Sequence, residues 1–148
     1  MQTTVWYCDA CGNEIHDPKA ALVTWDFNND NEKHEFFVIH KGRVCDREHG
    51  GLSMELSNML GAEGQEHLLS FLSYGPLPRR EGQPKIENID QFVDLFRRLH
   101  TPGYEEARRY FLLEEVQDEF SGANEYAAYT PESIARIIEI GRAVDGTV

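Results

Sequence analysis

The stretch Cys8-Asp9-Ala10-Cys11-Gly12 limits what this chain can fold into more than any other segment. Two thiols three positions apart, followed by glycine, let the backbone curl tightly around a single atom. Such a pair can ligate a metal, exchange electrons, close a disulfide or fill a core. Cys45 is the remaining thiol and makes an odd set of three. The opening MQTTVWYCDACG lacks the basic and long apolar stretches of a secretory leader, so a cytoplasmic location is expected. There the cysteines should stay reduced. A redox pair would sit at the start of a helix in a βαβ unit, where the thiolate is stabilised. Here the pair precedes strand-like sequence, and the carboxylate of Asp9 between the thiols disfavours ionisation. Zinc ligation is the reading that the spacing favours.

A tetrahedral site needs a fourth donor. His40, in HKGRVC, ends a strand-like run, and a turn through Lys41-Gly42 would carry Cys45 back to it. His49, in CDREH, would meet Cys45 at i and i+4 only on a helix, which Gly50-Gly51 would stop at once. The expected ligands are therefore Cys8, Cys11, His40 and Cys45, with His49 as the alternative fourth. A Cys3His set leaves no open position for water, so the ion is expected to be structural and no catalytic residue is assigned.

The expected fold class is α+β: an N-terminal zinc-knuckle β-hairpin module at 1–50, packed on a mainly helical part at 51–148. AALVTWDF and HEFFVIH read as hairpin strands joined by the polar NNDNEK, with Phe36, Val38 and His40 on one face and Phe37 and Ile39 on the other. SMELSNML and EGQEHLLSFL read as short helices separated by Gly61. A proline-rich loop or hinge at 75–87 carries Arg79, Arg80 and Lys85. In NIDQFVDLFRRLH, the stripe Ile89, Phe92, Val93, Phe96 and Leu99 predicts an amphipathic helix. Thr101-Pro102 and Thr130-Pro131 each resemble an N-cap before a first-turn proline. They would open the helices GYEEARRYFLLEEVQDEF and ESIARIIEIGRAV, the second bearing Gly141 as a place for close packing. Glu105 and Glu106 would pair with Arg108 and Arg109 on their own helix. Glu114, Glu115, Asp118 and Glu119 would fall late in the long helix, against its dipole.

The 148 residues carry a net charge of −12, spread along the chain with the largest share in 88–148. A field of that sign repels phosphate backbones, so nucleic acid is not an expected partner. A protein partner, basic by complementarity, is expected, and self-association is compatible with the composition. No apolar run approaches the ~20 residues needed to cross a bilayer. Asp26, Asn28 and Asp30 begin like a calcium loop, but Asn31 replaces its glycine and Phe37 its closing glutamate. An alternative enzyme reading is a metal-dependent hydrolase or nuclease using His34, His49 and His67. Acidic mimicry of DNA is a further alternative.

CDACGNEI, FFVIHKGRVC, LGAEGQEHLLSFL and, more loosely, RLHTPGYEEARRYF resemble a group of uncharacterised bacterial and phage-borne zinc-knuckle proteins. These begin with CxxCG, close it with a histidine and a cysteine after an aromatic strand, and continue into an LGxxG…LLSFL segment. The resemblance implies His40 as a ligand, because the group's pattern puts a histidine at the strand end. It also implies a phage or prophage setting, and it carries no activity.

Overall fold

The computed structural model describes residues 4–46, 51–77, 82, 84–124 and 127–146. Antiparallel sheets and helices are both present, making the protein α+β. Two compact units divide it: Trp6–His100, and Thr101–Val148 with Met1–Val5. The first unit runs on to His100 because later strand and helix segments complete its core.

That unit opens with two short strands, β1 (Trp6–Tyr7) and β2 (Glu14–Ile15), paired as a small hairpin. The expected large hairpin follows as β3 (Ala21–Phe27) and β4 (Lys33–His40), in register from Ala21↔His40 to Phe27↔Lys33, with a shift between Thr24 and Asp26. Its loop is polar and internally bonded. Asn28 Oδ1 accepts from the backbone N–H groups of Asp30 and Glu32 at 2.9 Å each, and Asn31 takes the left-handed conformation that glycine would supply in a calcium loop. A one-turn helix, α1 (Arg43–Asp46), comes next. Strand β5 (Leu52–Glu55) then adds to β3, giving the sheet order β4-β3-β5.

Strand β5 corrects the helical reading of SMELSNML. Pairing from Leu22↔Glu55 to Trp25↔Leu52 outweighs the weak helical pattern, and only Leu56–Met59 turns helically, as a 3-10 segment. Helix α2 (Gly61–Ser70) begins at Gly61, the glycine expected to separate two helices, and α3 (Ile89–His100) forms as expected. The buried stripe of α3 is rotated, however. Phe92, Leu95, Arg98 and Leu99 go inside, while Ile89 is 53% exposed. Val38 and Ile39 are both fully buried, so β4 is covered on both faces there. Trp25, Phe36, Phe71 and Phe92 form an aromatic group with ring centroids 4.9–6.2 Å apart. Such tilted and edge-on pairs add to the stabilisation from area burial. In the loop at 75–87, Arg79 and Arg80 lie outside the described residues. The backbone carbonyl of Lys85 accepts from Lys33, and Ile86 bridges to the start of β4.

In the second unit, the long helix expected from 103 to 120 is broken into α4 (Tyr104–Arg108) and α5 (Glu114–Glu119). The break reverses the dipole argument. Glu114 and Glu115 now lie in the first turn of α5, where negative charge is favourable. Glu106 pairs with Arg142, and Glu119 with Arg136 at 2.7 Å. Helix α6 (Pro131–Asp145) is capped as expected, with Thr130 Oγ1 accepting from the Ser133 N–H at 3.2 Å. Tyr104, Ala107, Tyr110, Val116, Ile134 and Ile137 form the core of this unit.

Gly141 in α6 lies against the Tyr110 ring, where a Cβ would overlap ring atoms. Gly141→Ala should therefore destabilise the protein by up to about 2 kcal/mol in urea denaturation. The overlap costs roughly 1–3 kcal/mol, against the ~1 kcal/mol that alanine gains over glycine in a helix.

Candidate metal centre

Three chain segments converge at the end of β4. The first is the Cys8–Gly12 turn, which joins β1 to β2. Its backbone is folded by the Gly12 N–H donating to Cys8 O at 2.8 Å and the Cys8 N–H donating to Asn13 O at 3.0 Å. Gly12 sits at φ 78° and Gly42 at φ 114°, both in the positive-φ region where a side chain is strained. The second segment is the end of β4. His40 is set by its pairing with Ala21, and the Lys41 N–H donates to Ala20 O at 2.9 Å. The Lys41 ammonium also meets Glu55 at 2.5 Å, and the Glu55 carboxyl is held below its usual range by Lys41 and then Ser57. The third is α1. The Lys41-Gly42 turn feeds into it, and the Asp46 N–H donates to Gly42 O at 3.0 Å, returning Cys45 to the histidine.

The structure brings Cys8, Cys11, His40 and Cys45 together, with their ligand atoms all within 4.8 Å of one another. His40 Nδ1 is 3.4 Å from Cys11 Sγ and 3.9 Å from Cys45 Sγ. A tetrahedral ion with sulfur at ~2.3 Å and nitrogen at ~2.0 Å has ligand–ligand edges of roughly 3.5–3.8 Å. The spacing therefore fits a four-coordinate ion. None of the three thiols is in a disulfide, and the CxxC pair occupies a hairpin turn and not a helix start, which removes the geometry of a redox pair.

The far side of the imidazole fixes its protonation. His40 Nε2 lies 3.1 Å from the carbonyl oxygen of Glu14. A carbonyl only accepts, so Nε2 carries the proton and Nδ1 turns its lone pair to the sulfurs. A metal-ligating histidine needs this outer partner to set its tautomer and ring angle. Cys8 and Cys45 are buried, His40 is half-buried, and Cys11 is exposed. The cluster thus lies at the surface with one sulfur reaching solvent.

Burial pushes the Cys8 thiol up, but backbone hydrogen bonds from Cys11, His40 and Ala10 outweigh it and bring the pKa down to about 6. Burial pushes Cys45 up to about 11, assisted by the neighbouring Cys8 and Cys11 sulfurs. Crowded sulfurs resist ionising together, and a cation among them reverses that cost.

Of the other residues singled out, His49 lies outside the described residues. His34 Nδ1 pairs with Glu87 at 2.9 Å, and His67 lies in α2. Among the described residues, the Cys8, Cys11, His40 and Cys45 group alone gathers three or more donors in metal-binding range. The residues that sequence reasoning missed are Glu14, whose carbonyl orients His40, and the Asp9–Arg98 pair beside the knuckle. Glu14 acts through its backbone, which leaves no side-chain signal, and Arg98 is distant in sequence. Comparison with protein-family models, curated proteins and solved structures gives no match.

The thiol pKa values set the pH dependence of metal uptake. At neutral pH Cys45 holds its proton and must release it to the ion, while Cys8 is already largely ionised. Affinity should therefore rise with pH around neutrality and fall more steeply below about pH 6, where Cys8 is also protonated. Competition titrations against a chelator at about pH 5.5, 6.5 and 7.5 measure this, and equal affinities at all three would contradict it.

Proposed function

We propose that this is a non-enzymatic, zinc-stabilised protein-interaction or regulatory protein of the cytoplasm. The observation that carries this reading is the closed donor set. Three sulfurs and an imidazole nitrogen lie within 4.8 Å of one another, and around one ion they would complete a tetrahedral shell with no position for a water or a substrate. Soft thiolates and an imidazole in that geometry favour zinc over hard cations such as magnesium and calcium. When bound, the ion supplies cross-linking: it joins the Cys8–Gly12 turn, the end of β4 and α1. The chain's own residues supply the rest. His40 presents Nδ1, Glu14 holds the ring, and Cys8 and Cys45 keep two of the sulfurs out of water.

The net charge of −12 supports a basic protein partner, and the resemblance to phage-borne zinc-knuckle proteins supports a phage or prophage setting. Among the described residues no helix is long and apolar enough to cross a membrane.

Purified protein should contain about one zinc per chain by elemental analysis. Cys11→Ser removes the exposed ligand without opening a core cavity. It should abolish that stoichiometry and lower the melting temperature by at least ~10 °C, the shift expected from a loss of about 2 kcal/mol in a unit of this size. A zinc-free wild type with an unchanged variant melt would sink the proposal. Separately, capture of a basic partner should weaken several-fold as salt rises from about 50 to 300 mM, since screening shortens the reach of the acidic surface.

A further inference from the structure

The knuckle makes a second set of contacts that involve no sulfur. Asp9, between the two cysteines, grips one residue of β4 at two points. Its N–H donates to Val38 O at 2.8 Å, and its Oδ2 accepts from the Val38 N–H at 2.7 Å. Val38 lies two positions before His40, so this grip sets the distance between the cysteine turn and the imidazole. The same Oδ2 accepts from the Arg98 guanidinium at 2.8 Å. Arg98 comes from the last turn of α3, and its side chain is only 2% exposed. A second guanidinium nitrogen donates to Tyr7 O at 3.1 Å, and the Arg98 carbonyl accepts from Trp6 Nε1 at 3.1 Å. Contacts from one helical residue therefore reach Trp6, Tyr7 and Asp9, the residues on either side of Cys8.

We infer that Asp9 and Arg98 are positioning residues for the metal centre: a clasp, anchored on a buried guanidinium, that fixes the cysteine turn against the end of β4 and ties the grip on the ion to the docking of α3. The inference rests on the metal reading given above. A carboxylate shared between a backbone N–H and a buried guanidinium is held on two sides, so the turn cannot tilt away from β4 without breaking both bonds. Charge-assisted hydrogen bonds of this kind are stronger and more directional than neutral ones. The Arg98 guanidinium is buried, so losing the carboxylate removes a charged partner where water cannot readily replace it. Linkage runs both ways: a clasp that favours the metal-binding geometry is itself favoured by bound metal.

The test uses the full chain, with Co²⁺ and Zn²⁺ as probes in chelator competition and the thiolate-to-cobalt absorption band as the signature of the site. Asp9→Asn and Arg98→Met should each weaken metal binding about 10- to 100-fold, the range typical of outer-shell partners. The double variant should be no weaker than the worse single one, because the two residues act as a unit. Arg98→Lys keeps the charge but loses the fork, so its loss should be intermediate and it serves where the other variants do not fold. Leu95→Val, a core change in α3 away from the clasp, should alter affinity less than ~2-fold. In wild-type protein, chelation should speed amide exchange in α3 more than in α2.

Folded Asp9 and Arg98 variants with wild-type affinity would overturn the clasp while leaving the metal centre intact. An equal loss from Leu95→Val would overturn it as well, by showing general destabilisation. A wild type without the cobalt band would remove the metal reading and the clasp together.

Discussion

The structure depends on the meeting of three sulfurs and one imidazole nitrogen from three separate segments within 4.8 Å. Burial first, and then the neighbouring Cys8 and Cys11 sulfurs, raise the Cys45 thiol to about 11, so ionising it without a cation is costly. The surrounding hydrogen bonds make sense as preparation for a cation. Glu14 takes the proton-bearing side of His40, and the Cys11 N–H lies 3.5 Å from Cys8 Sγ. An ion held there would contribute topologically, by connecting elements that are each too short to persist alone: two-residue strands on either side of the cysteine turn and a one-turn helix carrying Cys45.

Around that point the first unit builds its core by ordinary burial. The large hairpin supplies Val23, Val38 and Ile39, α2 supplies Leu68, and α3 supplies Phe92 and Leu95. Strand β5 shows how tertiary pairing decides a short segment. Its residues alternate poorly and read as helix in isolation, yet the edge of β3 offers backbone partners for Leu52–Glu55. The second unit shows the opposite case. Its sequence is helical almost throughout, but the chain turns at 109–113 so that Tyr110 lies against Gly141, and one long helix becomes two short ones.

Much of the metal centre was legible because its signals are local. Cys8 and Cys11 are three apart with glycine following, and His40 and Cys45 flank a Lys-Gly turn. The large hairpin was legible for the same reason, in its aromatic and β-branched runs. What was not legible depends on distance. Asp9 reads locally as a charge that disfavours its neighbouring thiolates, whereas in the structure its carboxylate is directed to Val38 and to Arg98, 89 positions away. Arg98 itself sits one position before a stripe residue, where the periodicity carries no signal of burial. Only the rotation of α3 puts it inside, and that rotation follows from packing that no short window contains. The helix break after Arg108 was hidden because nothing at 109–113 is a proline or a glycine.

A closed donor set also bears on where function can reside. An ion with four protein ligands would offer no vacant site, and the exposed sulfur, Cys11, would itself be a ligand. Such a centre would influence a partner through the shape and persistence of what it holds. The proposed clasp would extend that influence from the cysteine turn to α3 through the buried Arg98 guanidinium. Metal occupancy and the docking of α3 would then be two readouts of one equilibrium. A partner that recognises the docked helix would favour the loaded protein, and by the same linkage would tighten its hold on the ion.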